Sequence, residues 1–274
     1  MATHAQTASI ATGAIDPAPA WPPGVLLRDI ARGGLAGLVA GLVVGGIGGR
    51  VAMRAAALLV PEATGRFTEN GNQIGAITLA GTLALVVFMG LFAGAASGIV
   101  WVTVRPWIPG DARVRAVLAM PIAVALGTFA IIRGSNPDFA ILGHDPVIIA
   151  ILIAVIALTG LAVAVLDGWL DRRLPYPDSA GSAPAIAYAA LAGIGILLAA
   201  VMVVPQYLDG DLRPLGITLV VTGLATLAWW VQRAGGASAP ARWTTAVGRI
   251  GLGAAVVAGY WTLAPELAGA LGID

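Results

Sequence analysis

The sequence predicts an all-α, polytopic integral membrane protein, and three observations support this fold class. Apolar residues make up 58% of the 274 positions and charged residues 11%, against about 25% charge in an ordinary soluble domain. The apolar residues are gathered in runs of about 20, the length of helix that crosses a bilayer. Such runs argue against a β-barrel, whose strands need only about 10 alternating residues.

Seven apolar segments, each bounded by Pro, Gly or charge, are the predicted transmembrane helices. They lie at residues 30–59, 75–104, 113–133, 146–169, 184–204, 214–232 and 243–264. The predicted organisation is a flexible cytoplasmic tail (1–26), a four-helix part (27–170), a cytoplasmic loop (171–183) and a three-helix part (184–274). The first and last segments are the least certain by pattern, and a last segment lying on the surface would leave six helices.

Arginine distribution predicts the orientation, because cytoplasmic loops carry the excess of basic residues. With a cytoplasmic N-terminus, ten arginines fall inside and three outside. The inner set is Arg28, Arg32, Arg105, Arg113, Arg115, Arg172, Arg173, Arg233, Arg242 and Arg249, and the outer set is Arg66, Arg133 and Arg213. All fifteen basic residues are arginine, a bias typical of a GC-rich genome, and we expect the cytoplasmic (inner) membrane of a bacterium.

The residue inventory excludes several chemistries. The absence of cysteine excludes disulfides and iron–sulfur clusters. The absence of lysine excludes a retinal or pyridoxal phosphate Schiff base. His144 is the one histidine outside the tail, too few for a zinc site or a haem pair. We therefore expect no cofactor, no metal and no catalytic residue, and the lack of a basic tract predicts no nucleic-acid partner.

Two rows of glycine with four-residue spacing predict close helix packing, since residues four apart share one helix face. The rows are Gly33, Gly37, Gly41, Gly45 and Gly49 in the first segment, and Gly90, Gly94 and Gly98 in the second. The favoured interpretation is packing between helices of one chain. The alternative is a face that docks a second copy or another membrane subunit.

Arg50 and Arg54 follow the first glycine row at the outer part of the first segment. One interpretation is an interfacial pair that reaches lipid phosphates or is held by Glu62 or Glu69. The other is a cationic site for an anion or an acidic headgroup.

Two polar outer loops lie on the same predicted membrane face and supply the remaining candidate residues of that site. Residues 61–75 contribute Arg66, Glu69 and Asn72, and residues 133–146 contribute Arg133, Asp138 and His144. Turn chemistry is the alternative account, with Asp145 before Pro146 predicted as a helix cap. The apolar stretch 139–142 within the second loop is expected to dip back to the membrane surface.

Two further polar sets lie inside or beside the helices. Thr218, Thr222 and Thr226 form a stripe that is expected to bond within its helix or to a neighbour. Asp167 and Asp171 precede Arg172 and Arg173, which predicts interfacial ion pairs, with a proton-relay role for Asp167 as the alternative.

Three functions remain open at the level of sequence. The favoured one is a non-catalytic structural or accessory subunit that packs against membrane lipids and another membrane protein or a second copy. The second is a small permease or channel for an anionic solute that uses Arg50 and Arg54. The third is an enzyme acting on lipids at the outer leaflet, with His144 or Asp138 as acid or base.

Overall fold

The computed structural model describes residues 23–69, 71, 73–76, 78–177, 182–198, 200–201, 204–208 and 210–273. Within these ranges the protein is helical, and the described residues contain no β-strand apart from an isolated bridge between Phe67 and Gln73. The predicted all-helical class is confirmed.

Helices make up most of the first half of the chain, and a π-helical segment joins two pairs of them. Helices α1 (Pro23–Ala40) and α2 (Ile47–Leu59) are joined through Gly41–Gly46, and α3 (Leu79–Leu85) and α4 (Gly94–Val104) through Val86–Ala93. Then come α5 (Ala112–Gly127), α6 (Pro137–Ile141) and α7 (Pro146–Arg173).

The second half contains α8 (Ser182–Leu198), the short α9 (Val204–Leu208), α10 (Arg213–Ala234) and α11 (Arg242–Ala270). Short 3-10 turns occupy Pro61–Ala63, Arg105–Trp107, Thr128–Ala130 and Gly210–Leu212. The elements follow the predicted segments, with ends that differ by up to about seven residues.

Side-chain caps start four of the described helices, among them α6, where the Asn136 side chain accepts a hydrogen bond from the Asp138 amide. Asp111 accepts hydrogen bonds from two backbone amides at the start of α5, and Thr78 accepts one from Gly81 at the start of α3. Asp145 caps α7 in the same way, with Pro146 at the first helical position, as its sequence predicted. Each cap satisfies amides that an apolar surrounding would leave without an acceptor.

Five helical stretches in the described part of the chain are long and apolar enough to cross a membrane. They are Gly24–Leu59, Ala112–Ala130, Pro146–Arg173, Arg213–Ala234 and Arg242–Ala270. The last of these is 29 residues long. The last predicted segment, whose crossing the sequence left open, is therefore a full-length helix. This set of helices is consistent with a membrane protein.

The helices form a bundle around α1, α5 and α7. Helix α1 packs against α4, α7 and α8, while α5 packs against α7 and α11, and α11 against α10. Large buried side chains fill the centre, including Trp107, Leu126 and Leu215.

The glycine rows of the first two predicted segments meet inside the bundle. A Cβ on Gly37 would overlap the carbonyl oxygen of Gly94 and come within 2.5 Å of the Gly98 Cα, and one on Gly98 would lie 2.7 Å from the Gly33 carbonyl oxygen. Gly41 and Gly45 are buried, Gly49 is half-buried and Gly90 lies in the π-helical segment Val86–Ala93. The described part of this face is therefore in contact with a helix of the same chain.

The threonine stripe of α10 is bonded as expected. The Thr222 hydroxyl donates to the Thr218 carbonyl oxygen at 2.8 Å, and the Thr226 hydroxyl donates to the Thr103 carbonyl oxygen at 2.7 Å. Thr226 also accepts a hydrogen bond from the Trp107 indole at 2.8 Å. These polar groups are used for packing between helices.

Candidate functional site

Six charged side chains meet where the first residues of α1, the turn after α4 and the last residues of α7 come together. We call them the buried ion network, and the end of the bundle that holds them the Arg28 end. The members are Arg28, Asp29, Arg32, Arg105, Asp167 and Asp171. Arg28, Arg105 and Asp167 are each less than one tenth exposed.

Arg105 is the centre of the network. Its Nη1 donates to the Asp167 Oδ1 at 2.6 Å, and its Nη2 pairs with the Asp29 carboxylate and donates to the Asp29 carbonyl oxygen at 3.2 Å. Burial alone would lower the pKa of the Arg105 guanidinium, but the two carboxylates outweigh burial and raise it. Arg105 therefore stays charged and ties α1 to α7.

Arg32 and Arg28 extend the network along α7. The Arg32 Nε donates to the Asp167 Oδ1 at 2.8 Å, and its other nitrogens pair with Asp29 and Asp171. The Arg28 Nη1 donates to the Asp171 Oδ1 at 2.9 Å, and its Nη2 donates to the Leu174 carbonyl oxygen at 3.0 Å. Two arginines one turn apart on α1 thus face two aspartates one turn apart on α7.

The network corrects the predicted partners of Asp167 and Asp171. Asp171 pairs with two arginines of α1, and Asp167 pairs with Arg32 of α1 and with Arg105 in the turn after α4. In the described structure neither carboxylate pairs with Arg172 or Arg173. The signal was present in the sequence as matched four-residue spacings, Arg28 with Arg32 and Asp167 with Asp171. The sequence alone did not show that these two helices, about 140 residues apart in the chain, are in contact.

Arg50 and Arg54 lie at the opposite end of the first helical stretch, beside a small cleft. The cleft is lined by Arg50, Met53, Arg54, Gly75 and Ala76. The Arg50 Nη2 donates to the Thr82 Oγ1 at 2.6 Å, and the Arg54 Nη1 lies 3.4 Å from the Gly75 carbonyl oxygen. Among the described residues neither guanidinium has a carboxylate partner, Glu62 and Glu69 included.

The other predicted site residues are placed around this end, which we call the His144 end. The Glu69 backbone amide donates to the Asp138 Oδ1 at 2.7 Å, so the two predicted outer loops do meet. Arg66 and Arg133 are exposed, and the Arg133 Nε donates back to the Phe129 carbonyl oxygen at 3.3 Å. Asn72 lies outside the described residues. The described contacts join the loops to each other, and the first loop reaches Arg54 only through the Gly75 carbonyl oxygen.

His144 is held by the end of the last helix. Its Nδ1 lies 2.9 Å from the Ala270 carbonyl oxygen, and its φ of 54° places the backbone in the left-handed region. The preceding short helix α6 buries Phe139 against Ile132 and Ile149. The Phe139 ring therefore packs on protein, and the return of residues 139–142 to the membrane surface stays a prediction.

Comparison of the chain with protein-family models, curated protein sequences and solved structures finds no match. In the part of the chain that the structure describes, no group of three or more His, Asp or Glu side chains is placed to hold a metal ion. A functional interpretation therefore depends on the two arginine clusters and on helix packing.

Proposed function

We propose that this protein is a non-catalytic structural or accessory subunit of a membrane assembly in the cytoplasmic membrane of a bacterium. The observation that carries the proposal is the buried ion network. Its three arginines and three aspartates are bonded to one another and to backbone carbonyls, and their formal charges cancel.

A closed network of this kind supports a packing role over a transport role. Charged groups inside a membrane protein are costly unless paired, and those of a solute or ion path must exchange partners with the solute. Here Arg105 and Asp167 are both buried and use their charges on each other. The network joins three helical stretches, and each of its charges is paired with an opposite charge of the same network.

We further propose seven crossings with the N-terminus in the cytoplasm. The helical run from Leu79 to Val104 and helix α8 would be the two crossings beyond the five long apolar helices. Contacts at the two ends of the bundle support helices that alternate in direction. At one end, the start of α1, the turn after α4 and the end of α7 meet in the network that contains Arg28, Arg105 and Asp171. At the other end, the loops before α6 and α7 meet the end of α11, through Gly134 with Glu266 and His144 with Ala270. The arginine excess at the Arg28 end would make that end cytoplasmic.

Outward faces of the bundle supply the surface that lipids and a partner subunit would contact. On α11, Ile250, Val257 and Trp261 are 72%, 69% and 81% exposed and lie on one helix face. A face of this kind suits lipid tails and a neighbouring membrane helix, either from another subunit or from a second copy.

A permease for an anionic solute is the second candidate function, and one observation favours it. Arg50 and Arg54 line a cleft without a carboxylate to neutralise them in the described structure. The third interpretation, a lipid-acting enzyme, gains no support, because His144 bonds to Ala270 and Asp138 to the Glu69 amide.

Reconstitution separates the two candidates. The purified protein would be placed in liposomes that contain an anion-sensitive dye, beside Arg50→Gln/Arg54→Gln and a matched double variant, Arg66→Gln/Arg133→Gln. The accessory role predicts anion entry no faster than in protein-free liposomes for all three proteins. Entry that is fast with the wild type and the matched variant, but lost with Arg50→Gln/Arg54→Gln, would establish the permease instead.

A further inference from the structure

We propose that Arg50 and Arg54 form a binding site for a phosphate group carried by a membrane lipid. This inference is independent of the accessory role, because it concerns which lipid the protein holds and not what it assembles with. It depends on the position of the two guanidinium groups, on their unused hydrogen-bond donors and on the surface around them.

The position matches a membrane interface. Arg50 follows Arg28 by 22 residues, which is about 33 Å along a continuous helix. The hydrocarbon layer of a bilayer is about 30 Å thick. If the buried ion network lies at one interface, Arg50 and Arg54 reach the opposite one, where the phosphates of lipids lie.

Most N–H donors of the two guanidinium groups have no acceptor among the described residues. An arginine side chain carries about five N–H donors in a planar fork that fits phosphate oxygens. Among the described residues, Arg50 has one acceptor, the Thr82 Oγ1, and Arg54 has one distant acceptor, the Gly75 carbonyl oxygen. The Thr82 hydroxyl in turn donates to the Thr78 carbonyl oxygen at 2.8 Å. This chain of hydrogen bonds orients Arg50 while leaving most of its donors free.

The surroundings favour a lipid as the source of the phosphate. Arg54 lies on the same outward stripe of α2 as three exposed apolar residues, Ile47, Val51 and Leu58, which are 62%, 59% and 70% exposed. A charge on such a stripe is stabilised where it reaches the interface and meets an anion there. A lipid phosphate between the two arginines would accept their hydrogen bonds, and the acyl chains of that lipid would pack along the apolar stripe.

The test is native mass spectrometry of the full-length protein in mild detergent, titrated with phosphatidylglycerol. Dioleoylglycerol serves as the same lipid body without phosphate, and inorganic phosphate as the free anion. We expect one phosphatidylglycerol per chain, bound at least about tenfold more tightly than dioleoylglycerol, since hydrogen bonds to charged groups are lost with the phosphate. We expect Arg50→Gln/Arg54→Gln to weaken it by at least about tenfold, while Arg66→Gln/Arg133→Gln binds as the wild type does.

The outcomes separate clearly. Equal binding of phosphatidylglycerol by wild type and Arg50→Gln/Arg54→Gln, or equal binding of dioleoylglycerol and phosphatidylglycerol, would overturn the site. Inorganic phosphate that displaces the lipid at equal concentration would keep the phosphate chemistry but assign the site to a soluble anion. If the double variant does not stay monodisperse, Arg54→Gln alone replaces it, because Arg54 is exposed, and unchanged lipid binding by that folded variant would count against the proposal.

Discussion

Arg105 and Asp167 join the end of α4 to α7 through a 2.6 Å hydrogen bond between two charged residues that are 8% and 7% exposed. Each is also bonded to α1, Arg105 through Asp29 and Asp167 through Arg32. This charge pair therefore lies at the meeting point of three helical stretches, and the loss of either partner leaves the network with unequal numbers of positive and negative charges.

Arg105→Met is expected to lower the free energy of unfolding by about 3–5 kcal/mol. It leaves three aspartates with only Arg28 and Arg32 as partners, so the network carries a net negative charge. Arg105→Met/Asp167→Asn restores charge balance, so its cost should be smaller than the sum of the single costs by at least about 1 kcal/mol. Thermal unfolding of the detergent-solubilised variants measures the loss of stability in the single and in the double variants. Arg113→Met removes an exposed arginine beyond the network and should be near neutral, and strictly additive costs would show that the pair is not coupled.

Gly37 and Gly34 offer a matched pair of substitutions on one helix. A Cβ at Gly37 meets the backbone of α4, whereas one at Gly34 meets no atom within 4 Å. Gly37→Ala should destabilise the protein by about 1–3 kcal/mol through separation of the two helices, and Gly34→Ala should be neutral or stabilising by up to about 1 kcal/mol. The thermal unfolding midpoints of the two variants test this difference in stability, and equal midpoints would contradict the packing described for Gly37.

The helical class, the helix ends at Asp145 and Pro146, and the internal bonding of the Thr222 stripe followed from the sequence because each depends on local periodicity or capping. The partners of Asp167 did not follow, since they depend on which helices are neighbours. The same limit applies to Arg50, whose acceptor Thr82 lies on the next helical run. Spacing shows which residues share a face, but tertiary packing decides what that face meets.

His144→Ala is expected to lower the free energy of unfolding by about 0.5–1.5 kcal/mol, the value of one hydrogen bond. The bond is that between the ring and the Ala270 carbonyl oxygen, which secures the end of α11. His144→Asn, which tolerates the left-handed backbone, is the companion variant and should cost less strain. A variant of unchanged stability that alters lipid turnover in the host membrane would instead give His144 a catalytic role.

The proposed topology can be read by cysteine labelling, because the chain contains no cysteine of its own. Ser135, Ser238 and Ile273 are exposed, and each can carry a single cysteine. In intact cells a membrane-impermeant maleimide should label Ser135→Cys and Ile273→Cys, and Ser238→Cys only after permeabilisation. Labelling of Ile273→Cys that also required permeabilisation would leave the chain with an even number of crossings.

The most direct test of the accessory role is the mass and composition of the complex that this protein forms in its native membrane. The chain would be tagged at its chromosomal locus, extracted in mild detergent and measured by native mass spectrometry, with Arg113→Met as a folded control. The account predicts a complex heavier than the 27.5 kDa chain that contains a second membrane protein in fixed stoichiometry. A monomer, or an assembly of this chain alone that conducts anions after reconstitution, would contradict it.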